Sequence, residues 1–175
     1  MQPGRVVVGG ASLAHGTLLV PAGRDTSKLL LSPEEGHDPS LLRTFIEESL
    51  RLRAPTQGLS TRLTSQDERF GDVGVPKGSV LHLRWAAANI DPEEFECPLE
   101  LQLDRKAASR HLSFSAGPRV CPGAGISRLE QQIAWTRLLE RLESMRYGSD
   151  NTFLHQPGIM LGTLQLNLEL VKAAK

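Results

Sequence analysis

The sequence predicts a mostly α-helical fold with a small β component, and three observations carry that expectation. Segments 39–52 and 126–142 set apolar residues at helical spacing. Segment 56–83 is cut into short strand-like pieces by glycine, proline and aspartate. Segment 147–171 ends the chain in alternating, strand-like residues punctuated by Gly158 and Gly162. At 175 residues the chain is one domain's worth, enough to bury a modest core.

Taken in order, Val6 to Val20 is mostly apolar behind Arg5. It imitates a signal peptide, but Gly9, Gly10, His15 and Gly16 interrupt it and it is too short to span a bilayer. It is expected to be part of a buried helix. Leu13 to Leu31 reads as a long apolar helix kinked at Pro21. Ser32 to Pro39 is a break, and Asp38 is placed to cap a helix from Pro39 to Leu52. On it Leu41, Leu42, Phe45, Ile46 and Leu50 recur at helical spacing, and Glu48 and Arg51 share a face.

Thr61 to Thr64 reads as a strand. Asp72 to Gly78 reads as a hairpin turning at Pro76-Lys77-Gly78, with Ser79 to Leu83 as its return strand. Trp85 to Asn89 starts a helical turn, and Asn89-Ile90-Asp91-Pro92 closes it. Ile126 to Leu142 reads as an amphipathic helix, with Leu129, Ile133, Leu138, Leu139 and Leu142 as its apolar set.

Charge is balanced at 20 basic and 20 acidic residues, which argues against nucleic acid and against electrostatic attachment to membranes. Two cysteines do not make a disulfide scaffold, and a reducing, cytoplasmic setting is expected.

The chemistry concentrates in Phe114-Ser-Ala-Gly117-Pro-Arg119-Val-Cys121-Pro-Gly123. A glycine-bracketed cysteine before an amphipathic helix suits a thiolate that must ligand iron, because backbone N–H groups and the helix's positive end stabilise its charge. Gly117 can take a left-handed turn, and Gly123 lets the backbone approach a flat cofactor. Arg119 is placed to pair with an anionic group. The bland alternative makes Cys121 a small buried hydrophobe. Cys97, without such a setting, reads as structural filler or a surface thiol.

This run resembles the haem-binding loop of the cytochrome P450 family, Phe-x-x-Gly-x-Arg/His-x-Cys-x-Gly, at all five fixed positions. Two further stretches are similar to family motifs. Ala22-Gly23-Arg24-Asp25-Thr26-Ser27 resembles the distal helix motif. Glu48 and Arg51 resemble the Glu-x-x-Arg pair that braces the cysteine loop. Without the family, Asp25-Thr26-Ser27 reads equally as a helix cap and Glu48–Arg51 as a surface ion pair.

The resemblance implies a truncated cytochrome P450 fold over residues 1–175, covering the C-terminal, haem-binding portion of the family's domain, with the preceding roof helices absent. It implies haem b with Cys121 as axial thiolate and metal ligand, Arg119 on a haem propionate, and Phe114, Gly117 and Gly123 at the cofactor. It also implies Arg62 on a propionate, against the alternative of an ordinary exposed strand charge, and Asp25 and Thr26 handling protons and dioxygen. An arginine that often joins the Glu-x-x-Arg pair has Pro98-Leu99-Glu100-Leu101 in its stretch here, which leaves that triad open.

The implied activity is a monooxygenase that inserts one oxygen atom of O2 into an apolar small-molecule substrate, with electrons from a ferredoxin-type donor. Thr56 to Ser60 and Gly158 to Gly162 are the wall candidates for that substrate. Arg105, Lys106 and Arg110 either meet an acidic partner or form a plainly solvated face. The alternatives are a non-catalytic, P450-derived haem-binding or helper protein, and a remnant frame with no stable product. Exposed apolar surface is expected where the missing helices would pack, and with it self-association.

Overall fold

The computed structural model describes residues 4–9, 38–148, 160 and 165–173. Asp25 and Thr26, the helix expected over 13–31, and Gly158 and Gly162 lie outside the described residues.

Helix α1 spans Pro39–Leu52. Asp38 caps it as the sequence predicts, accepting the Ser40 N–H at 2.8 Å, and Pro39 sits at the helix start, where its missing N–H costs nothing. The capping hydrogen bonds from Ser40 hold the Asp38 carboxyl below its ordinary range. Arg53 closes the far end through its N–H to the Ser49 carbonyl.

Helix α2 is the short turn Trp85–Ala88, and α3 spans Ala124–Leu139. Single 3-10 turns form at Ala108–Arg110 and Gly117–Arg119.

Strand β1 is Gly4–Gly9, where a buried helix is expected. It runs antiparallel to β7, Gln165–Lys172, with Gly4 opposite Leu170 and Gly9 opposite Gln165. Three consecutive valines, Val6–Val8, are β-branched and suit a pleated strand better than a helix. Strand β6, Leu142–Tyr147, pairs with the other edge of β7, so the sheet order is β1-β7-β6. The segment after α3 is therefore strand from Leu142 onward, and α3 ends at Leu139.

The middle of the chain holds two separate ribbons. Strand β2 (Thr61–Leu63) pairs with β5 (Val80–His82), and β3 (Glu68–Phe70) pairs with β4 (Val73–Val75). The expected hairpin is thus corrected. Its tight turn is Gly71-Asp72, with Gly71 at φ +57°, and Pro76-Lys77-Gly78 instead links β4 to β5 across two ribbons. Thr64 fixes that link by donating its hydroxyl to the Pro76 carbonyl at 2.8 Å.

The core lies between α1 and α3. Leu42, Phe45, Ile46 and Leu50 meet Trp135 and Leu139, and Leu101, Leu103, Phe114 and Met145 pack around them. Phe45 and Trp135 meet edge to face at 5.2 Å.

The buried face of α3 is Gln131, Trp135 and Leu139. Leu129 and Ile133, expected on the apolar face toward the core, point out at 55% and 53% exposure, with Ile126 beside them at 63%. Both sides of α3 carry apolar residues, so periodicity does not say which side is covered; the bulk of Trp135 against Phe45 decides it.

Candidate functional site

The cysteine loop is a backbone cage closed at both ends. The Ser115 N–H bonds the Leu112 carbonyl at 2.8 Å, and Ser115 and Gly117 take positive φ of 62° and 67°. That reversal brings the Cys121 N–H onto the Phe114 carbonyl at 2.8 Å. The Cys121 carbonyl accepts the Ala124 N–H at 3.2 Å, which ties the loop to the first turn of α3. Cys121 is exposed, so the reading of it as a small buried hydrophobe is excluded. A Cβ at Gly123 would meet the Cys121 Sγ at 3.8 Å, and one at Gly117 would meet nothing within 4 Å. Gly123 therefore leaves the surface beside the sulfur bare, and Gly117 faces open space. Arg119 is exposed at the end of its 3-10 turn.

Behind the loop, Arg51 is wholly buried and all its bonds are spent. It forks onto Glu48, Nε to Oε1 at 2.6 Å and Nη2 to Oε2 at 2.9 Å. It also donates to the carbonyls of Asn89 (3.0 Å), Pro98 (2.6 Å) and Glu100 (2.9 Å). The pair is thus no surface ion pair; it pins the end of α2 and the 98–100 loop to α1. Burial alone would raise the Glu48 carboxyl, but the hydrogen bonds from Arg51 and from the Gln102 N–H outweigh it and lower it.

A third charge completes the cluster. Arg105 brings its Nε to 3.0 Å from Glu48 Oε1 as a second ion pair on that carboxylate. The guanidinium carbons of Arg51 and Arg105 lie 5.0 and 6.0 Å from the centre of the Phe95 ring. Arg105 is therefore neither a solvated charge nor free for an acidic partner. Arg110 is exposed and pairs with Glu94 at 2.8 Å on the surface, and Lys106 is exposed as well.

Asn89 joins this cluster to the cysteine loop. It is 0% exposed; its carbonyl takes Arg51, its Oδ1 accepts the Leu112 N–H at 2.7 Å, and its Nδ2 donates to Ser113 Oγ at 2.9 Å. Ser113 in turn donates to the Leu50 carbonyl at 2.6 Å. Ile90 beside it is exposed and takes no part in these bonds.

Glu47 makes a further buried contact set. It accepts two bonds from Arg128, at 2.6 and 2.9 Å, and lies 3.1 Å from His111 Nε2. Burial would raise its carboxyl, but the bonds from His111 and Arg128 carry it down to about 2. The sequence does not mark Glu47, Asn89 or His111 as site residues, and it offers Arg105 only as a partner-facing or solvated charge. Each finds partners far along the chain, and no local spacing announces such contacts.

The remaining candidates lie on other elements. Arg62 is exposed on β2 and donates to the Thr61 carbonyl at 2.9 Å. Of the two wall segments, Thr56 and Met160 are joined by an isolated antiparallel bridge, with Thr56 Oγ1 3.3 Å from Met160 Sδ. Gly58, next to that bridge, has no room for a side chain: a Cβ would come within 2.5 Å of the Leu83 carbonyl. Among the described residues no helix is long and apolar enough to cross a membrane.

A family model described as Cytochrome P450 matches residues 38–170. Cytochrome P450 107B1 of Saccharopolyspora erythraea is 38% identical over 150 residues, covering 78% of this chain and 37% of that protein. The substrate-free structure of Mycobacterium marinum cytochrome P450 CYP150A6 superposes with a TM-score of 0.72 at 30% identity, over 81% of this chain and 36% of its own. P450BioI, solved in complex with a hexadec-9Z-enoic acid-ligated acyl carrier protein, gives a TM-score of 0.70 at 33% identity, over 78% and 35% of the two chains. The chain thus spans little more than a third of the length of the relatives it matches.

Proposed function

The chain belongs to the cytochrome P450 family, and from that premise we propose that residues 1–175 are one partial, haem-binding P450 domain whose Cys121 ligates haem iron. The observation that carries this reading is the exposed Cys121 in a loop whose own backbone holds it, with its N–H on the Phe114 carbonyl and the bare Gly123 beside its sulfur. The residues present fit the group: one accessible sulfur, no side chain at Gly117 or Gly123 to block a flat macrocycle, and the exposed Arg119 guanidinium two residues away for a propionate. The first turn of α3 follows three residues on and favours negative charge at the sulfur's end of the helix.

When bound, haem b supplies dioxygen activation, with a thiolate ligand favouring O–O cleavage. The chain's own residues have four tasks in this reading. Cys121 holds the iron. Arg119, with Arg62, neutralises propionates, while Phe114, Gly117 and Gly123 shape the proximal surface. Thr26 donates a hydrogen bond on the oxygen side, and Asp25 resupplies its proton. The Glu48–Arg51–Arg105 cluster keeps the loop's foundation rigid.

The activity follows as monooxygenation of an apolar small molecule in the cytoplasm, with electrons from a ferredoxin-type donor. The fatty-acid-loaded carrier protein on P450BioI fits that substrate class. Thr56 and Met160 are proposed on the substrate wall. The exposed Ile126–Leu129–Ile133 stripe favours a second reading, a haem-binding helper that works against another protein surface.

The test is the absorption spectrum of the haem-reconstituted chain, reduced under carbon monoxide, beside Cys121→Ser. A red-shifted, thiolate-type Soret band that the substitution removes supports the iron site. Absence of stoichiometric haem, or a band the substitution leaves in place, overturns it.

A further inference from the structure

A second buried charge cluster stands beside the Glu48–Arg51–Arg105 brace and shares no side chain with it. Glu47 projects from α1, His111 from the segment that leads into the cysteine loop, and Arg128 from α3 after the loop. The cluster therefore spans the loop from both sides and anchors both sides on one helix. Glu47 and His111 are buried at 6% and 5% exposure.

Its geometry is specific. Arg128 presents Nε and Nη2 to the two oxygens of Glu47 at 2.6 and 2.9 Å, the two-point fork that only arginine can make. The Ser113 N–H donates to His111 Nδ1 at 3.1 Å, so the ring's proton sits on Nε2 and is given to Glu47. Both cluster members then close on one ring: the Arg128 guanidinium lies 4.6 Å from the Phe114 ring centre, and the His111 ring centre lies 6.1 Å from it. Phe114 is the residue whose carbonyl holds the Cys121 N–H at 2.8 Å. A short physical path thus runs from the Glu47 carboxylate, through Arg128 and Phe114, to the backbone of the cysteine.

We propose that Glu47, His111 and Arg128 form a clamp that positions the cysteine loop by gripping Phe114, independently of the Glu48–Arg51 brace. The three are positioning residues, acting on Cys121 through Phe114; the link to haem rests on the reading of Cys121 as the ligand. A plain salt link between α1 and α3 would stabilise both helices equally and leave the loop no more affected than the core. The clamp makes the opposite demand.

Amide hydrogen exchange of the full chain without haem separates the two. Arg128→Gln removes the fork and the cation over Phe114, and Arg128→Lys keeps the charge but not the fork. The expected result for Arg128→Gln is exchange at the Cys121 amide faster by about tenfold, with α1 amides such as Ile46 and Leu50 changed by less than about twofold. Arg128→Lys is expected to fall between wild type and Arg128→Gln, and it carries the test if the glutamine variant does not fold. Exchange at Cys121 that is unchanged, or that rises only in step with Ile46 and Leu50, overturns the clamp. In the haem-reconstituted chain, Arg128→Gln is expected to weaken the thiolate-type Soret band that the wild type shows. If the wild type takes up no haem, the iron-site reading falls, while the exchange data still decide the clamp.

Discussion

Arg105 lies 3.0 Å from the Glu48 carboxylate, an acid that Arg51 already holds in a two-point fork. One buried carboxylate thus faces two guanidinium groups, and both of these approach the Phe95 ring. Arg51 spends its remaining N–H groups on three backbone carbonyls, so none of its buried donors goes unsatisfied.

The two arginines should differ sharply on removal. Arg51→Ala takes the two-point fork from the buried Glu48 and leaves the Asn89, Pro98 and Glu100 carbonyls without their donor, and should cost about 3–5 kcal/mol. Arg105→Leu leaves the Glu48–Arg51 fork intact and should cost about 1–3 kcal/mol. Urea denaturation of the two variants checks this. Equal losses would mean that Arg105, not the fork, carries the cluster.

How far these contacts were legible differs residue by residue. Asp38, Pro39 and the apolar positions of α1 follow from local rules, because capping and helical periodicity act within a turn. The cysteine loop could be read because its glycines and cysteine sit within one short run. Arg105 could not be placed, since a basic residue in an irregular loop carries no sign of whether it faces solvent or a buried acid. The Gly71-Asp72 turn lost to Pro76-Lys77-Gly78 in the reading because both have turn chemistry, and only strand pairing chooses between them. Strand β1 cannot be told from a helix locally, because its partner β7 lies at the other end of the chain.

The two cysteines should part company in chemistry. Both are exposed, so a thiol-alkylating reagent should label both in the haem-free chain. Haem should then protect Cys121 and leave Cys97 reactive, read by mass spectrometry of the labelled peptides. Cys121→Ser should change the folding stability by less than about 0.5 kcal/mol, because an exposed sulfur is not part of the packing. Labelling of both sites at the same rate with haem present would sink the ligand assignment.

Acid should weaken the fold through Glu47. Its carboxyl titrates at about 2 in the fold against 4.5 for an ordinary glutamate, because the bonds from His111 and Arg128 outweigh burial. A carboxyl lowered on folding adds stability that is complete above the ordinary value and is lost as pH falls toward the folded one. Stability should therefore drop between pH 4.5 and about 2. Glu47→Gln carries no titrating carboxyl, so it should be less stable at neutral pH and show a shallower decline over that window. Denaturation midpoints followed against pH test this; parallel curves for the two proteins would contradict the assignment.

The outward stripe of α3 should govern association. Ile126, Leu129 and Ile133 recur at three- and four-residue steps, which sets them on one side of the helix, and all three are more than half exposed. Gln132, Thr136, Arg137 and Glu140 border Leu129 and Ile133 in a shallow groove of about 320 Å³, so an apolar strip with a polar rim is open to a second surface. Burying such a strip is favourable whatever covers it, and a second copy of the chain is always available at the concentrations used in purification. Light scattering behind size-exclusion chromatography should show a mass that rises with concentration. Leu129→Glu with Ile133→Glu should restore the monomer mass without lowering the denaturation midpoint, since neither residue touches the Phe45–Trp135 core. A wild-type chain that stays monomeric at every concentration would show that the stripe is too small to associate.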